Sequence, residues 1–363
     1  MRVLQLFGLG NTAALLTVGL RRLGVDCDLM LSNRAFITQY PKWTSDYEEL
    51  NGHAYLWDKF DMQTPQTLAD LLKFVRRYDL IHVHAPGANW AWLFDRPYVL
   101  WDGGSGNFIM SESFEPPEGT SGKYNHEAGR RGYKRAKYVF YNDINVIYTC
   151  ARKMPWLRGH KYGYMPLPVD TDVFRPMKVV RPIDAFTVYN PTRQEWGWKG
   201  IPDILEGFKM FTQDVPDALL LITQYGSDVS VTRFMIQHLG LQNNVRFVPL
   251  MPKQDFARLI NAVDVIIDQV KIHSVGGVTV QAMACEKPVI VAANQRWYNE
   301  QLGEGIPIVN AKDESGVYQA LLDVYYGKHR TIGKDAREFV RRYHDYRVVS
   351  KKVLEVYENI LEK

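Results

Sequence analysis

Apolar residues along this chain alternate between two patterns, compact runs of three to five and longer stretches where they return every third or fourth position. The compact runs read as buried strands, near residues 3–7, 79–84, 98–101, 186–189, 219–223, 245–248, 265–267, 289–291 and 306–309. The periodic stretches read as helices at 68–78, from 201, from 229, and at 254–262 and 315–326. A last long helix carries Val349, Val353, Val356, Tyr357 and Ile360 at helical spacing. Strands alternating with helices throughout predict an α/β protein made of two doubly wound domains. Around residues 165–170 the composition shifts, with prolines at 166, 168, 176 and 182. The expected domains are 1–167 and 168–345, with the final helix, about 346–363, packing back on the first.

The most informative stretch is 264–291, DVIIDQVKIHSVGGVTVQAMACEKPVIV. An apolar run ends at Asp268, a loop follows with His273, Ser274, Gly276 and Gly277, and VTVQAMAC is too long and alanine-rich for a strand. Pro288 introduces the next apolar run. The pattern predicts one βαβ unit, with a glycine loop and a helix N-terminus at the carboxyl edge of a parallel sheet. Exposed N–H groups and the positive dipole end favour an anion there, phosphate above all.

Other stretches allow more than one reading. Residues 33–65 are polar and aromatic and give no clear element; 126–141 read as one amphipathic helix, and 145–149 as a further strand. In the helix, Arg130, Arg131, Lys134 and Arg135 share a face opposite Tyr133, Ala136 and Phe140. That face reads either as solvated surface or as a peripheral contact with anionic lipid. Gly8-Leu9-Gly10-Asn11-Thr12-Ala13 follows the first strand as a G-x-G-x-x-A fingerprint. The second strand ends near Ser32-Asn33 without the carboxylate that would hold a dinucleotide ribose, so a close-approach loop facing a ligand or another domain is the better reading. Asp26-Cys27-Asp28 lies at the start of a strand, away from the functional edge, and His82 and His84 have no evident third ligand. Neither makes a metal site. Asp102, followed by Gly103, Gly104 and Gly106, is either a site carboxylate or the cap of a flexible turn.

Composition narrows the classes. With 363 residues and 46% hydrophobic content the chain can build real cores, and no apolar run approaches the roughly 18 residues of a membrane span. The N-terminus reads as a first strand rather than a signal peptide. Three widely spaced cysteines indicate neither disulfide framework nor zinc site, so a cytoplasmic setting is expected. A net charge of +4 suits anionic ligands and is too small to argue for nucleic acid. Aromatics at 13%, many in the first half, fit a sugar or lipid acceptor surface as well as an aromatic core.

In the second half the residues resemble the donor domain of GT-B glycosyltransferases, specifically the retaining family 4. Pro168-Val169-Asp170-Thr171-Asp172-Val173-Phe174-Arg175-Pro176 is similar to the family's G-V-D-x-x-x-F-x-P. Arg193 and Lys199-Gly200 fall where the family has its arginine and K-G. Val245-Arg246-Phe247, Ala262-Val263-Asp264-Val265 and Gln281-Ala282-Met283-Ala284-Cys285-Glu286-Lys287-Pro288-Val289 resemble V-x-F, A-D-V and E-A-M-A-x-G-K-P-V. The resemblance is specific over about 168–310 and generic before that.

It implies GT-B architecture, two Rossmann-like domains facing a central cleft, and a metal-independent, hexosyltransferase-type enzyme. No prosthetic group is expected, only a nucleotide diphosphate-sugar donor with a uridine or guanosine base. The acceptor would be a glycan, a lipid-linked glycan or a small molecule, held by the first domain. Arg193 and Lys199 would hold the diphosphate, with backbone donors from Gly276, Gly277 and Val278, and with Gly8 and Gly10 opposite. Gln281 would hold the ribose, Tyr225 the base side, and His273 and Asp102 would act near the sugar and acceptor. The departures are His273 and Gln281, where the family has two glutamates eight residues apart, Asp102, where many members have a histidine near the acceptor, and Glu286, where the family has glycine. The lost glutamate pair motivates one rival, a catalytically silent nucleotide-sugar binding protein. A sugar-nucleotide epimerase on the same plan is the other.

Overall fold

The computed structural model describes residues 1–8, 11–32, 47–57, 65–84, 87–103, 126–142, 162–181 and 184–362. It divides into two units, residues 1–168 with 346–363, and residues 169–345.

The first unit is a seven-stranded parallel sheet of β1 (Arg2–Leu6), β2 (Asp26–Ser32), β3 (Ala54–Trp57), β4 (Leu80–His84), β5 (Tyr98–Asp102), β6 (Tyr138–Tyr141) and β7 (Tyr162–Tyr164). Its order is β3-β2-β1-β4-β5-β6-β7. Helices α1 (Thr12–Arg22), α2 (Pro65–Val75), α3 (Ala88–Ala91) and α4 (His126–Arg135) connect the strands. Strand β3 escapes the sequence reading because its four residues lie at the sheet edge, with Tyr55 and Leu56 exposed, so no buried run marks it. The single helix expected over 126–141 is corrected. The helix ends at Arg135, and Tyr138-Val139-Phe140-Tyr141 pairs between β5 and β7 as a strand. Aromatic and β-branched residues fill a pleated buried surface well, and over four residues that preference outweighs a coincidental helical spacing. The strand expected at 145–149 lies outside the described residues.

The second unit is a six-stranded parallel sheet of β8 (Thr187–Asn190), β9 (Leu219–Thr223), β10 (Val245–Val248), β11 (Val265–Ile267), β12 (Val289–Val291) and β13 (Val309–Asn310), in the order β10-β9-β8-β11-β12-β13. Its helices are α5 (Trp196–Lys199), α6 (Ile201–Asp214), α7 (Val229–His238), α8 (Lys253–Ala262), α9 (Gly277–Ala284), α10 (Gln295–Leu302), α11 (Glu314–Tyr325) and α12 (Ile332–Tyr343). Ile201, Ile204, Leu205, Phe208 and Phe211 give α6 one apolar face, buried against strand residues Val188, Leu220 and Val265. Each such side chain removed from water contributes roughly 1.5–3 kcal/mol before the entropy of ordering is subtracted.

The unit spanning β11, α9 and β12 is as the hydrophobic pattern predicts. Its helix ends in a Schellman motif: Lys287 N–H reaches Ala282 O at 3.1 Å and Glu286 N–H reaches Met283 O at 3.0 Å. The motif puts Glu286 at φ 59°, the left-handed region, where a non-glycine residue costs about 1–2 kcal/mol. That geometry is the physical reason a glycine suits this position.

The final long helix is α13 (Tyr346–Leu361), as its apolar spacing predicts, and α12 precedes it as a separate helix. Between them Asp345 pairs with Val169 as a parallel bridge and accepts a hydrogen bond from Thr171 Oγ1, and Val169 N–H donates to His344 O at 2.8 Å. Helix α13 belongs to the first unit. Val349, Val353 and Tyr357 are buried with Val3, Leu16, Leu20 and Trp101. A Cβ on Gly19 would come within 2.1 Å of Ser350 Oγ, so this glycine lets α1 and α13 approach closely. Tyr357 also enters a buried polar chain. Gln5 Nε2 donates to Tyr357 Oη at 2.9 Å, Tyr357 Oη lies 2.5 Å from His82 Nδ1, and His84 Nε2 lies 2.9 Å from Gln5 Oε1. His82 and His84 therefore orient α13 rather than a metal.

Candidate functional site

In a doubly wound sheet the ligand crevice opens at the carboxyl ends of the strands where the strand order reverses. In the second unit that point lies between β8 and β11, which pair through Val188–Val265 and Tyr189–Ile266. The segments leaving these two strands, 191–200 and 268–277, carry Arg193, Lys199, His273, Gly276 and Gly277.

The first segment is held from below. Asn190 Nδ2 donates to Ile267 O at 2.9 Å, tying the two strand ends together. Gln194 is fully buried; its amide donates to Asn190 Oδ1 at 3.2 Å and Thr192 O at 3.1 Å, and its backbone N–H meets Tyr225 O at 2.7 Å. Gly226, at φ 126°, lies so close that a Cβ would fall 2.5 Å from the Gln194 backbone. This scaffold leaves the Arg193 side chain at the surface, 40% exposed and 3.2 Å from Glu195. Tyr225 stands beside Arg193. Burial pushes the Tyr225 phenol up, and the Arg193 charge opposes that rise. Trp196 N–H donates to Asp228 Oδ2 at 2.8 Å and begins the single turn of α5, which ends at Lys199. Gly200 has φ 69°, and a Cβ there would meet Val270 Cγ2 at 2.5 Å. Glycine after Lys199 is thus required both by the backbone and by the approach of the second segment.

The second segment reaches back to the first. Lys199 Nζ donates to Gln269 Oε1, Gln269 Nε2 donates to Ser274 O at 2.6 Å, and Val270 N–H donates to Lys199 O at 3.1 Å. Val275 N–H reaches the buried Tyr298 Oη at 3.1 Å, and Asn294 N–H reaches His273 O at 3.2 Å. The His273 side chain is exposed. Asp268, 1% exposed, accepts from Thr279 Oγ1 at 2.6 Å and fixes the first turn of α9. Gly276 is extended, at φ −97° and ψ 178°, so neither it nor Gly277 is there for a left-handed turn. A Cβ on Gly276 would lie 3.1 Å from Asp268 Oδ2, while one on Gly277 would meet open space. The N-terminus of α9 has no side-chain cap and no acidic residue in its first turn. Orphan N–H groups and the dipole of such a helix start favour negative charge near it. Gln281, half-buried, lies one turn further along the same face as Gly277.

Arg193, Lys199, Tyr225, His273, Gly276, Gly277, Val278 and Gln281 thus all belong to one unit, on the segments leaving β8, β9 and β11. Gln194, Asp268 and Gln269, which shape these segments, were not recognised as functional from the sequence. A buried glutamine at a strand end carries no motif.

Of the three site residues expected in the first unit, Gly8 and Asp102 stand at the carboxyl edge of its sheet. Gly8 follows β1, and a Cβ on it would strike Ala13 Cβ at 2.4 Å, so the first and last letters of the fingerprint serve strand–helix packing. Gly10 lies outside the described residues. Phe7 and Asn11, at φ 63° and 69°, flank this loop with left-handed backbone, a strain that clusters at functional loops. Asp102 is fully buried and accepts a hydrogen bond from Tyr133 Oη at 2.7 Å. On α4, Arg131 and Lys134 are exposed, and Arg131 lies 5.3 Å from the Trp92 ring centre. At the other end of the sheet, ligand atoms of Asp26, Asp28 and His53 lie within 4.8 Å of one another. Arg2 approaches Asp28 at 3.4 Å, Arg21 Nη2 lies 2.9 Å from His53 Nε2, and Tyr78 Oη donates to Asp28 at 2.7 Å. The arginines supply the positive charge there, which makes the cluster an ion-pair network. No helix among the described residues is long and apolar enough to cross a membrane.

Residues 193–317 match the model of the family described as Glycosyl transferases group 1, a segment that begins at Arg193 and includes both site segments. No curated protein sequence matches the chain. Sucrose-phosphate synthase from Thermosynechococcus elongatus is similar in structure with a TM-score of 0.74 at 17% identity, covering 100% of both chains. Anabaena HepE in complex with UDP-glucose gives 0.72 at 17% identity, over 99% of this chain and 100% of the other. A glycosyltransferase from Rickettsia africae gives 0.70 at 15%, over 100% and 99%. The chain therefore has the fold of the GT-B glycosyltransferases, and its second unit carries the glycosyl transferases group 1 segment.

Proposed function

We propose that the chain is a retaining, metal-independent glycosyltransferase that moves a sugar from a nucleotide diphosphate-sugar to an acceptor held by the first unit. The observation that carries this reading is the bridge from Lys199 through Gln269 to Ser274, which couples a cation to the loop before an uncapped helix N-terminus. As the bond from the anomeric carbon to the phosphate oxygen breaks, negative charge grows on the diphosphate. Lys199, Arg193 and the N–H groups of Gly276, Gly277 and Val278 are preorganised donors for that charge. The acceptor oxygen attacks from the face the diphosphate leaves, and its proton passes to a phosphate oxygen, which retains configuration. Gln281 takes the ribose and Tyr225 the base side, while His273 and Asp102 act beside the sugar and acceptor. HepE crystallised with UDP-glucose supports a uridine donor.

A panel of nucleotide diphosphates and their sugars, tested by thermal shift without metal and then for turnover, decides the reading. One donor should raise the melting temperature, and its sugar should appear on an acceptor. Donor binding with no transfer or hydrolysis across a broad acceptor panel would support the silent binding protein, and donor conversion with no acceptor would support an epimerase. No stabilisation by any nucleotide sinks all three.

A cytoplasmic setting is supported by Cys27 and Cys285, buried free thiols. The exposed Arg131 and Lys134 support a peripheral contact with anionic lipid and a lipid-linked acceptor. Co-sedimentation with phosphatidylglycerol vesicles, reduced by Arg131→Ala/Lys134→Ala, is the expected result; equal sedimentation of wild type and variant would remove this contact.

A further inference from the structure

We infer that Gln269 is a positioning residue for diphosphate binding, holding the Lys199 ammonium and the glycine loop in register; this rests on the function proposed above. Gln269 directly follows Asp268 at the tip of β11 and is 4% exposed. Its carbonyl oxygen accepts from Lys199 Nζ, its amide nitrogen donates to Ser274 O at 2.6 Å, and its backbone oxygen accepts from Ala292 N–H at 3.1 Å.

Three features make this more than packing. A primary amide supplies one acceptor and one donor in a fixed plane, and here each faces a different half of the site. A lysine side chain has four rotatable bonds and a compact charge, so an acceptor of fixed position confines it strongly. Glutamine is also neutral. A glutamate in its place would neutralise the ammonium that the diphosphate requires, and it could not donate to Ser274 O. The neighbouring Asp268 restrains the first turn of α9 through Thr279 Oγ1, so consecutive residues of one strand tip fix the cation, the loop and the helix start. The preorganised cation and N–H groups then meet the diphosphate with little reorganisation.

The test is a double-mutant cycle read by calorimetry with the nucleoside diphosphate the panel selects, and with inorganic pyrophosphate as a base-free probe. Gln269→Leu should weaken diphosphate binding roughly tenfold to a hundredfold, the range for a lost hydrogen bond to a charged group. On a Lys199→Ala background the same change should weaken it little further. Additive losses would show that Gln269 acts independently of Lys199 and overturn the inference. Gln269→Glu should bind the diphosphate less tightly than wild type without rescuing Gln269→Leu. A glutamate variant that binds as wild type would also overturn it.

One readout needs no ligand. Acetylation of Lys199 by acetic anhydride, followed by mass spectrometry, should speed up in Gln269→Leu while that of Lys271, paired with Asp203 at 2.5 Å, stays unchanged. Unchanged Lys199 labelling would overturn the positioning role even if no nucleotide binds. Faster labelling with no nucleotide bound would keep the positioning of Lys199 and count only against the proposed function.

Discussion

Lys199→Ala will lower kcat for sugar transfer by about 10²–10³-fold, the usual cost of removing one preorganised donor from a developing anion. It will weaken nucleoside diphosphate binding by roughly tenfold to a hundredfold. The two losses arise from one cause. Lys199 ends a single helical turn whose position is set by Asp228 at its start and by Gly200 and Val270 at its end, so the ammonium is delivered by backbone rather than by a flexible loop. Its loss leaves Arg193, which is 40% exposed and shares its charge with Glu195, as the remaining side-chain cation of this pair. Arginine is not an equivalent replacement: its planar fork is larger than the ammonium and presents its donors along different directions. Lys199→Arg should recover only part of the rate. Steady-state kinetics with the selected donor, together with calorimetric diphosphate binding, check both numbers. A variant with unchanged kcat would remove Lys199 from the reaction.

Acid will loosen the first unit through His82 and His84. Both are fully buried, their rings stacked 4.7 Å apart, in the polar chain that reaches Tyr357 on α13. The hydrogen bonds assign the neutral tautomers. With Gln5 Nε2 donating to Tyr357 Oη, the hydroxyl proton goes to His82 Nδ1, and His84 Nε2–H donates to Gln5 Oε1. Burial holds the His84 imidazole down at about 3, and burial with the neighbouring His84 holds His82 well below its ordinary range. Both folded values are thus depressed, so the unfolded chain binds more protons below its own value of about 6.5. The stabilisation is complete above about pH 6.5 and falls as pH drops toward 3, by at most about 1.4 kcal/mol per pH unit for each histidine. The check is urea unfolding followed at α13 between pH 7 and 5, in wild type and in His82→Phe/His84→Gln. The variant should start less stable and show a flatter pH slope. Equal slopes would show that these imidazoles do not carry the acid sensitivity.

The legible parts of this molecule were those written in a repeating pattern. The unit 264–291 could be read because two three-residue apolar runs bracket a glycine loop and an alanine-rich segment, and the folded β11, α9 and β12 fall where that pattern puts them. Lys199-Gly200 could be read as a pair, and the reason it is a pair emerges only in three dimensions, where Gly200 turns left-handed against Val270. Segment 126–141 misled because Phe140 falls at helical spacing from Tyr133 and Ala136, although Phe140 lies on a buried strand. Gln194 and Gln269 were silent because their roles depend on partners 31 and 70 residues away, Tyr225 and Lys199, a distance over which no periodicity operates. For His82 and His84, the lack of a third ligand is visible in the sequence, and their actual partners, Tyr357 and Gln5, are not.

The central claim is that a diphosphate sits on the N-terminus of α9, beside Lys199. Hydrogen exchange of the backbone amides, with and without the selected nucleoside diphosphate, tests it most directly. The account predicts slowed exchange at Gly277, Val278 and Thr279, with weaker protection along 193–199, and loss of both in Lys199→Ala. Saturating nucleotide that leaves the amides of 277–279 exchanging at their free rate would contradict it.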